Sequence, residues 1–478
     1  MPLTRREFLG RSAMCVSASA LGGFALAGLD QSYDLVVLNG RVLDPATGLD
    51  SVCHIGIDGG TIRAISNREL RGKKVIDARG YCVAPGFIDP ISHGQNLYND
   101  QIQVFDGVTT KLQIESGAED QDQWHKDNAG KRMLNYGASV SHTRARRVVM
   151  GEDDANTKVA TEAQIAKILE FLDAQLAKGA LAVGFGLEYQ PASTHPEVYR
   201  VFKVAGKHKA VCTAHIRYGT LADDQSAFAA VQEMISNAQV AKIGMHIHHV
   251  PSMALSTAPV VYDYLTEAAK AGLDVTSDFY PYTAFGTGIK SEVFAPGWQE
   301  RYGLRYEDLE LARTHERLTP ETFAKYREEG GMVIAHCIPE DAIRAGMKCD
   351  SMVGSDGSLT DGVGHPRSAG TYARVLGKYV REEKLASLLK TVGKMTIQPA
   401  RRFEKRCKAL TKKGRIAVGA DADLAIFDAS RVIDRATFAE PALTSVGFDW
   451  VVVNGVQVVS EGRLVEGVKP GKGLRAVL

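Results

Sequence analysis

TEAQIAKILEFLDAQLAKGALAVGFGLEY, residues 161–189, joins an amphipathic helix directly to a short apolar run. Ile165, Ile168, Leu169, Leu172 and Leu176 fall on one stripe of a 3.6-residue period. Thr161 and Gln164 are spaced as a capping box, and Gly179 stands just past the expected helix end. ALAVGFG at 180–186 then reads as a strand that ends in polar residues, which is the αβ half of a βα repeat.

Outward from this segment the rhythm recurs. TTKLQIES (109–116), AVCTAHIR (210–217), IGMHIHHV (243–250), LDVTSDFYPY (273–282), GMVIAHC (331–337) and DSMVGSDG (350–357) are further strand candidates with chemically capable residues at their ends. In a parallel (β/α)8 barrel the active site gathers at the C-terminal ends of the strands, so a TIM-type α/β barrel is the expected catalytic domain over 83–400. The charged, helix-forming stretch from about 290 to 330 breaks the rhythm and reads as an insertion over the barrel mouth. YDLVVLNG (33–40), HIGIDGGTIRAI (54–65) and FDWVVVNGVQVVSEGRLV (448–465) have the short runs and Asn-Gly or Gly-Gly turns of hairpins. A small β-sandwich built from both chain ends, 31–82 and 401–478, is therefore expected beside the barrel.

Composition bounds the partners. The 478 residues hold 57 basic and 56 acidic side chains, a balance that leaves no electrostatic footprint for nucleic acid. The 7 cysteines are scattered without close pairs and read as buried thiols. Arg5 and Arg6 precede Phe8, Leu9 and a Gly/Ala/Ser-rich stretch, the pattern of a twin-arginine export signal over 1–30 and not of a stable membrane anchor. The expected location is periplasmic or secreted.

A hydrolytic metal centre needs about three protein ligands, an open position for water, and a nearby base. The strand ends offer Asp89 and His93 in FIDPISHGQN, Glu115 in QIESG, His215 in AHIR, His249 in HIHHV and Asp356 in GSDG. Apart from Asp89 and His93, which share one segment, each comes from a separate expected strand, and the residue types suit a mononuclear or a dinuclear site. Tyr282 in YPYT either donates to a substrate carbonyl oxygen or packs as a strand-end aromatic.

APGFID, GVTT, GLEYQP, AHIR, DFYPYT, HPRSAGTYARVLGKYVRE, MTIQPARR and GRIAVGADADLAIFD follow one another along the chain. In this order they resemble the amidohydrolase superfamily, and within it the N-acyl-D-amino-acid deacylase (D-aminoacylase) branch. The resemblance implies zinc-dependent hydrolysis of a linear amide, with Asp356 as general base and then acid. It selects His249 from the three histidines of HIHHV, leaving His246 and His248 as structural residues. It also implies an H-x-H pair on the first strand, where this chain has Ile91 and His93, and a metal-bridging cysteine, where it has Ser116 beside Glu115.

One tight zinc on Glu115, His215 and His249 follows, resembling the single-metal site of N-acetylglucosamine-6-phosphate deacetylase, with a second site weakened or absent. His93 is then either a residual ligand or a residue that positions water. The resemblance further implies that Arg367 grips a substrate carboxylate, that Tyr189 lies in the active site, and that His142 and Arg146 lie near the mouth, in contact with substrate or as structural residues. A branch lysine is replaced by Pro251. A hydrolase of cyclic or carboxylate-free amides and a catalytically silent binding relative are the competing readings.

Overall fold

The computed structural model describes residues 32–219 and 225–476; the expected export signal, with Cys15, lies outside them. The helix that anchors the sequence reading spans Glu162–Ala177, and Thr161 and Gln164 form the capping box. Ile168, Leu172 and Leu176 are fully buried in the main core and Leu169 is half-buried. At roughly 1.5–3 kcal/mol for each fully buried aliphatic side chain, this stripe and not helix propensity holds the element in place. Gly179 adopts φ 97°, which turns the chain into the Ala182–Gly186 strand.

That strand belongs to a parallel six-stranded sheet whose neighbours are Val140–Ser141 on one side and Val211–His215 on the other. Met245–Ile247, Val275–Phe279 and Met352–Val353 continue it in parallel register. A second parallel sheet joins Phe87–Asp89, Val108–Gln113 and Asn135–Ala138. The two sheets meet twice. Leu181 donates its N–H to Ala138 O at 2.9 Å, and beyond the last strand Asp356 donates to Ile91 O at 2.8 Å while His93 donates to Gly357 O at 3.0 Å. Burial of both faces explains why these strands read as apolar runs and not as alternating patterns.

GMVIAHC departs from its expected place. Met332–Ala335 is a strand, but it pairs antiparallel with Phe285–Gly288 and Leu309–Leu311, while Val275–Phe279 pairs directly with Met352–Val353. Its apolar run is satisfied by a small three-stranded sheet that spans the insertion, with Leu309–Leu311 inside it and Phe285–Gly288 and Met332–Ala335 flanking it.

A nine-stranded sheet combines both chain ends. Cys82–Pro85 runs parallel to Ser32–Asp44 and antiparallel to Leu424–Phe427, which joins the N-terminal hairpins to Phe448–Val453 and Val456–Ser460. Leu35, Ile55, Ile57, Val83, Leu424 and Val452 form one apolar cluster on it. No helix among the described residues is long and apolar enough to cross a membrane.

Candidate metal centre

Glu115, His215 and His249 come from three points at the C-terminal ends of the parallel strands, and their ligand atoms lie within 4.8 Å of one another. Glu115 follows the Val108–Gln113 strand, where the backbone passes so close to Gly184 that a Cβ there would sit 2.0 Å from Glu115 O. Glycine at 184 is therefore what lets the neighbouring strand approach. His215 ends Val211–His215, and His249 turns out of the sheet at φ 32°.

The outer contacts set the direction of each imidazole. His215 Nε2 lies 2.8 Å from Glu188 Oε2, so this nitrogen carries the proton and Nδ1 presents a lone pair. The Ser252 hydroxyl donates to His249 O at 2.8 Å and accepts from His249 Nδ1 at 3.0 Å, which leaves His249 Nε2 with a lone pair. The two free nitrogens face one another at 3.2 Å, with Glu115 oxygens 3.6 Å from His215 and 4.0 Å from His249. Facing lone pairs repel unless a cation shares them, and one carboxylate with two imidazoles is a zinc-type donor set. The residues present therefore fit zinc.

His93, Glu115 and Asp356 form a second cluster sharing Glu115. His93 Nε2 is 2.9 Å from Asp356 Oδ1 and 3.3 Å from Glu115 Oε2, and its Nδ1 contacts Ser116 Oγ at 3.2 Å. Ile91, at the other position of the expected pair, is buried and offers no donor.

Burial disfavours charge on all of these groups, and their neighbours decide the outcome. Against burial, hydrogen bonds that His93 donates to the Asp356 and Glu115 carboxylates hold it up to about 10. Against the same penalty, His93 and His215 draw Glu115 down to about 2, and Arg367 and His93 keep Asp356 below the usual carboxylate range. Glu188 raises His215, whereas burial pushes His249 down to about 4.

The cluster opens into a cavity of about 570 Å³ lined by His93, Glu115, Tyr189, His215, His249, Asp356 and Arg367 among others. Arg367 is buried, with Nη1 2.9 Å from Asp356 Oδ2 and its guanidinium 4.6 Å above the Tyr280 ring. Tyr189 packs against the His215 ring, with ring centroids 4.6 Å apart and planes tilted by 42°, and its hydroxyl lies 3.2 Å from Thr287 Oγ1 in the Phe285–Gly288 strand. Asp89 stays behind the cavity, accepting from Ser355 N–H at 2.9 Å and so bracing the residue before Asp356.

Two expected substrate contacts lie elsewhere. His142 Nε2 is 2.7 Å from Glu197 Oε1, and Arg146 pairs with the same carboxylate at 2.6 Å, in a network with no exposed side chain. Neither His142 nor Arg146 lines the cavity, which places this pair in the interior as structural residues. Tyr282 points away from the cavity to Asp434 Oδ2 at 3.2 Å, under the Arg374 guanidinium. The tyrosine of this segment that lines the cavity is Tyr280, two residues earlier. Sequence reasoning also passed over Tyr302 and Glu188, which line the cavity as well. Glu188 carried a readable signal, a carboxylate immediately after an apolar strand, masked by the adjacent Tyr189.

The amidohydrolase family's model matches residues 139–459, more than half of the chain. The chain belongs to the amidohydrolase family. This amidohydrolase is 28% identical over 498 residues to the N-acyl-D-glutamate deacylase of Alcaligenes xylosoxydans xylosoxydans, covering 94% of this chain and 97% of that one. It is 27% identical over 478 residues to the D-aminoacylase of the same organism, covering 90% and 95%. Its fold superposes with a TM-score of 0.79 on N-acyl-D-glutamate deacylase from Bordetella bronchiseptica, at 26% identity over 93% of this chain and 100% of that one. That structure was solved with zinc and a phosphonate inhibitor that mimics the tetrahedral intermediate of the reaction.

Proposed function

We propose that this amidohydrolase removes the acyl group from an N-acyl-D-amino acid by zinc-dependent hydrolysis, with the substrate carboxylate held at Arg367. One observation carries the reading: the lone pairs of His215 and His249 and the carboxylate of Glu115 converge in the same cavity as Asp356 and Arg367. The deacylase names of the relatives support it.

Glu115, His215 and His249 hold the metal, and zinc, when bound, acidifies water and polarises the scissile carbonyl. Asp356 stays ionised beside His93 and Arg367 and so accepts the proton of the attacking water, then returns it to the leaving nitrogen. His93 orients that carboxylate through Oδ1. Arg367 sits where a planar fork can turn from Asp356 to a substrate carboxylate, stacked on Tyr280 to limit its swing.

The parallel strands support a (β/α)8 barrel. In this reading Asn135–Ala138 and Val140–Ser141 are one strand broken at Ser139, and the Asp356–Ile91 contact closes the ring. The sheet shared by the chain ends forms the flanking β-sandwich; the division expected at residue 82 shifts to 85, the end of the Cys82–Pro85 strand of that sheet, and the other stays near 400. Arg5 and Arg6 support twin-arginine export to the periplasm or beyond.

The test compares an N-acyl-D-amino acid, its L-enantiomer and its C-terminal amide on the zinc enzyme. Loss of the carboxylate is expected to lower kcat/KM by at least about tenfold, chiefly through KM. Arg367→Ala should erase that preference. Equal turnover of acid and amide would sink the assignment.

A further inference from the structure

One carboxylate beside the centre joins it to the insertion. Glu188 stands just past the Ala182–Gly186 strand, and its side chain is almost wholly buried. Oε2 takes His215 Nε2–H at 2.8 Å. Oε1 accepts from Gly219 N–H at 3.0 Å and from the Tyr302 hydroxyl. Tyr302 ends the short Trp298–Tyr302 helix of the insertion and is itself buried, its ring 6.1 Å from that of Phe285. Glu188 and Tyr302 also line a neighbouring cavity of about 540 Å³, so they form part of the wall between two cavities.

A carboxylate used only to fill space has no need to spend its two oxygens in this way. A ligand histidine keeps its metal-facing nitrogen unprotonated only when the other nitrogen has an acceptor, and Glu188 is the acceptor for His215. The same carboxylate is held in place by a hydroxyl from a segment some 114 residues further along the chain.

Building on the metal reading above, we infer that Glu188 is a positioning residue that fixes His215 with Nδ1 free for the metal, and that Tyr302, acting through Glu188, makes metal retention depend on the seating of the insertion.

Substitution by glutamine makes the logic testable because it preserves size. An amide has one accepting and one donating end. If its oxygen keeps Tyr302 and Gly219, its NH2 faces His215 Nε2 and drives the proton to Nδ1, toward the metal. If its oxygen keeps His215, its NH2 opposes Gly219 N–H. Either arrangement weakens the site.

The experiment measures zinc affinity by competition with a chromophoric chelator, and zinc release from the loaded protein, for wild type, Glu188→Gln and Tyr302→Phe. Melting of each chelator-stripped protein serves as the control. Glu188→Gln should raise the zinc Kd about 10- to 100-fold, the range for an outer partner of a metal ligand. Tyr302→Phe should raise it several-fold and speed release, with stripped-protein melting temperatures close to wild type in both. Unchanged zinc affinity in Glu188→Gln overturns the inference, as does a lowered melting temperature with unchanged affinity. Wild-type affinity in Tyr302→Phe overturns the link to the insertion. A wild type that takes up no zinc sinks instead the metal reading on which this rests.

Discussion

Two clusters of the same composition lie side by side in this protein, and only one can serve a cation. Glu115 with His215 and His249 opens into the cavity; Asp278 with His246 and His248 is sealed. In the sealed cluster Asp278 Oδ2 accepts from His246 Nε2 and His248 Nδ1, each at 2.8 Å, and Oδ1 accepts from His249 N–H at 2.5 Å. Its carboxylate is thus spent on protons. In the open cluster the protons point outward, to Glu188 and Ser252, and the lone pairs point inward. Direction and access, not residue type, separate a metal site from a buried hydrogen-bond network. The sealed cluster still matters to the open one, because Asp278 holds the left-handed turn that aims His249.

The largest effect should come from breaking the open cluster. Glu115→Ala removes the only carboxylate among the three converging ligands, so zinc should fall from about one per chain to near none. Turnover should fall roughly 10⁴-fold or more. Metal analysis of the purified variant checks this, and retained zinc would erase the distinction between the clusters. Asp356→Asn sharpens it: turnover should drop about 10²- to 10³-fold while zinc stays bound, since this side chain moves a proton and is not one of the three tight ligands. Zinc loss in Asp356→Asn would instead make it a ligand.

Breaking the sealed cluster should cost stability first. Asp278→Ala strands two imidazoles and one backbone N–H without an acceptor, at about 3–5 kcal/mol, the scale for removing one partner of a buried charged network. Urea unfolding measures it, and added zinc should not restore what is lost. Rescue by zinc would show that this cluster, too, works as a metal site.

How much of this was legible follows from what strand ends encode. Glu115, Tyr189, His215, His249 and Asp356 each close an apolar run, and a parallel sheet buried on both faces must expose its chemistry at such points. The helix at Glu162–Ala177 carries its caps and stripe within its own residues. Legibility failed where a side chain's fate depends on a distant partner. His142 is claimed by Glu197, 55 residues away, and Tyr282 by Asp434, 152 away. Between Tyr280 and Tyr282 only the loop path after the strand decides, and no period marks it. GMVIAHC has the composition of any buried strand, and its partners determine which sheet it joins.

The smallest expected effect is a pH slope. Burial pushes His246 down to about 4, against the pull of Asp278. An unfolded histidine titrates near about 6.5. Between these values the unfolded chain binds the proton more readily, so the folded state is favoured fully above pH ~6.5 and loses that advantage as pH falls toward 4. One such group gives a limiting slope of about 1.4 kcal/mol per pH unit, and Asp278, whose carboxyl its histidine partners hold below the ordinary carboxylate range against burial, begins to add its own acid sensitivity as pH falls into that range. Urea unfolding of His246→Gln between pH 6.5 and 4 should therefore show a shallower acid decline than wild type, even though glutamine lowers stability at neutral pH. Parallel curves would mean that His246 enters the fold already protonated, and that the sealed cluster is held by an ion pair and not by a neutral imidazole donating to Asp278.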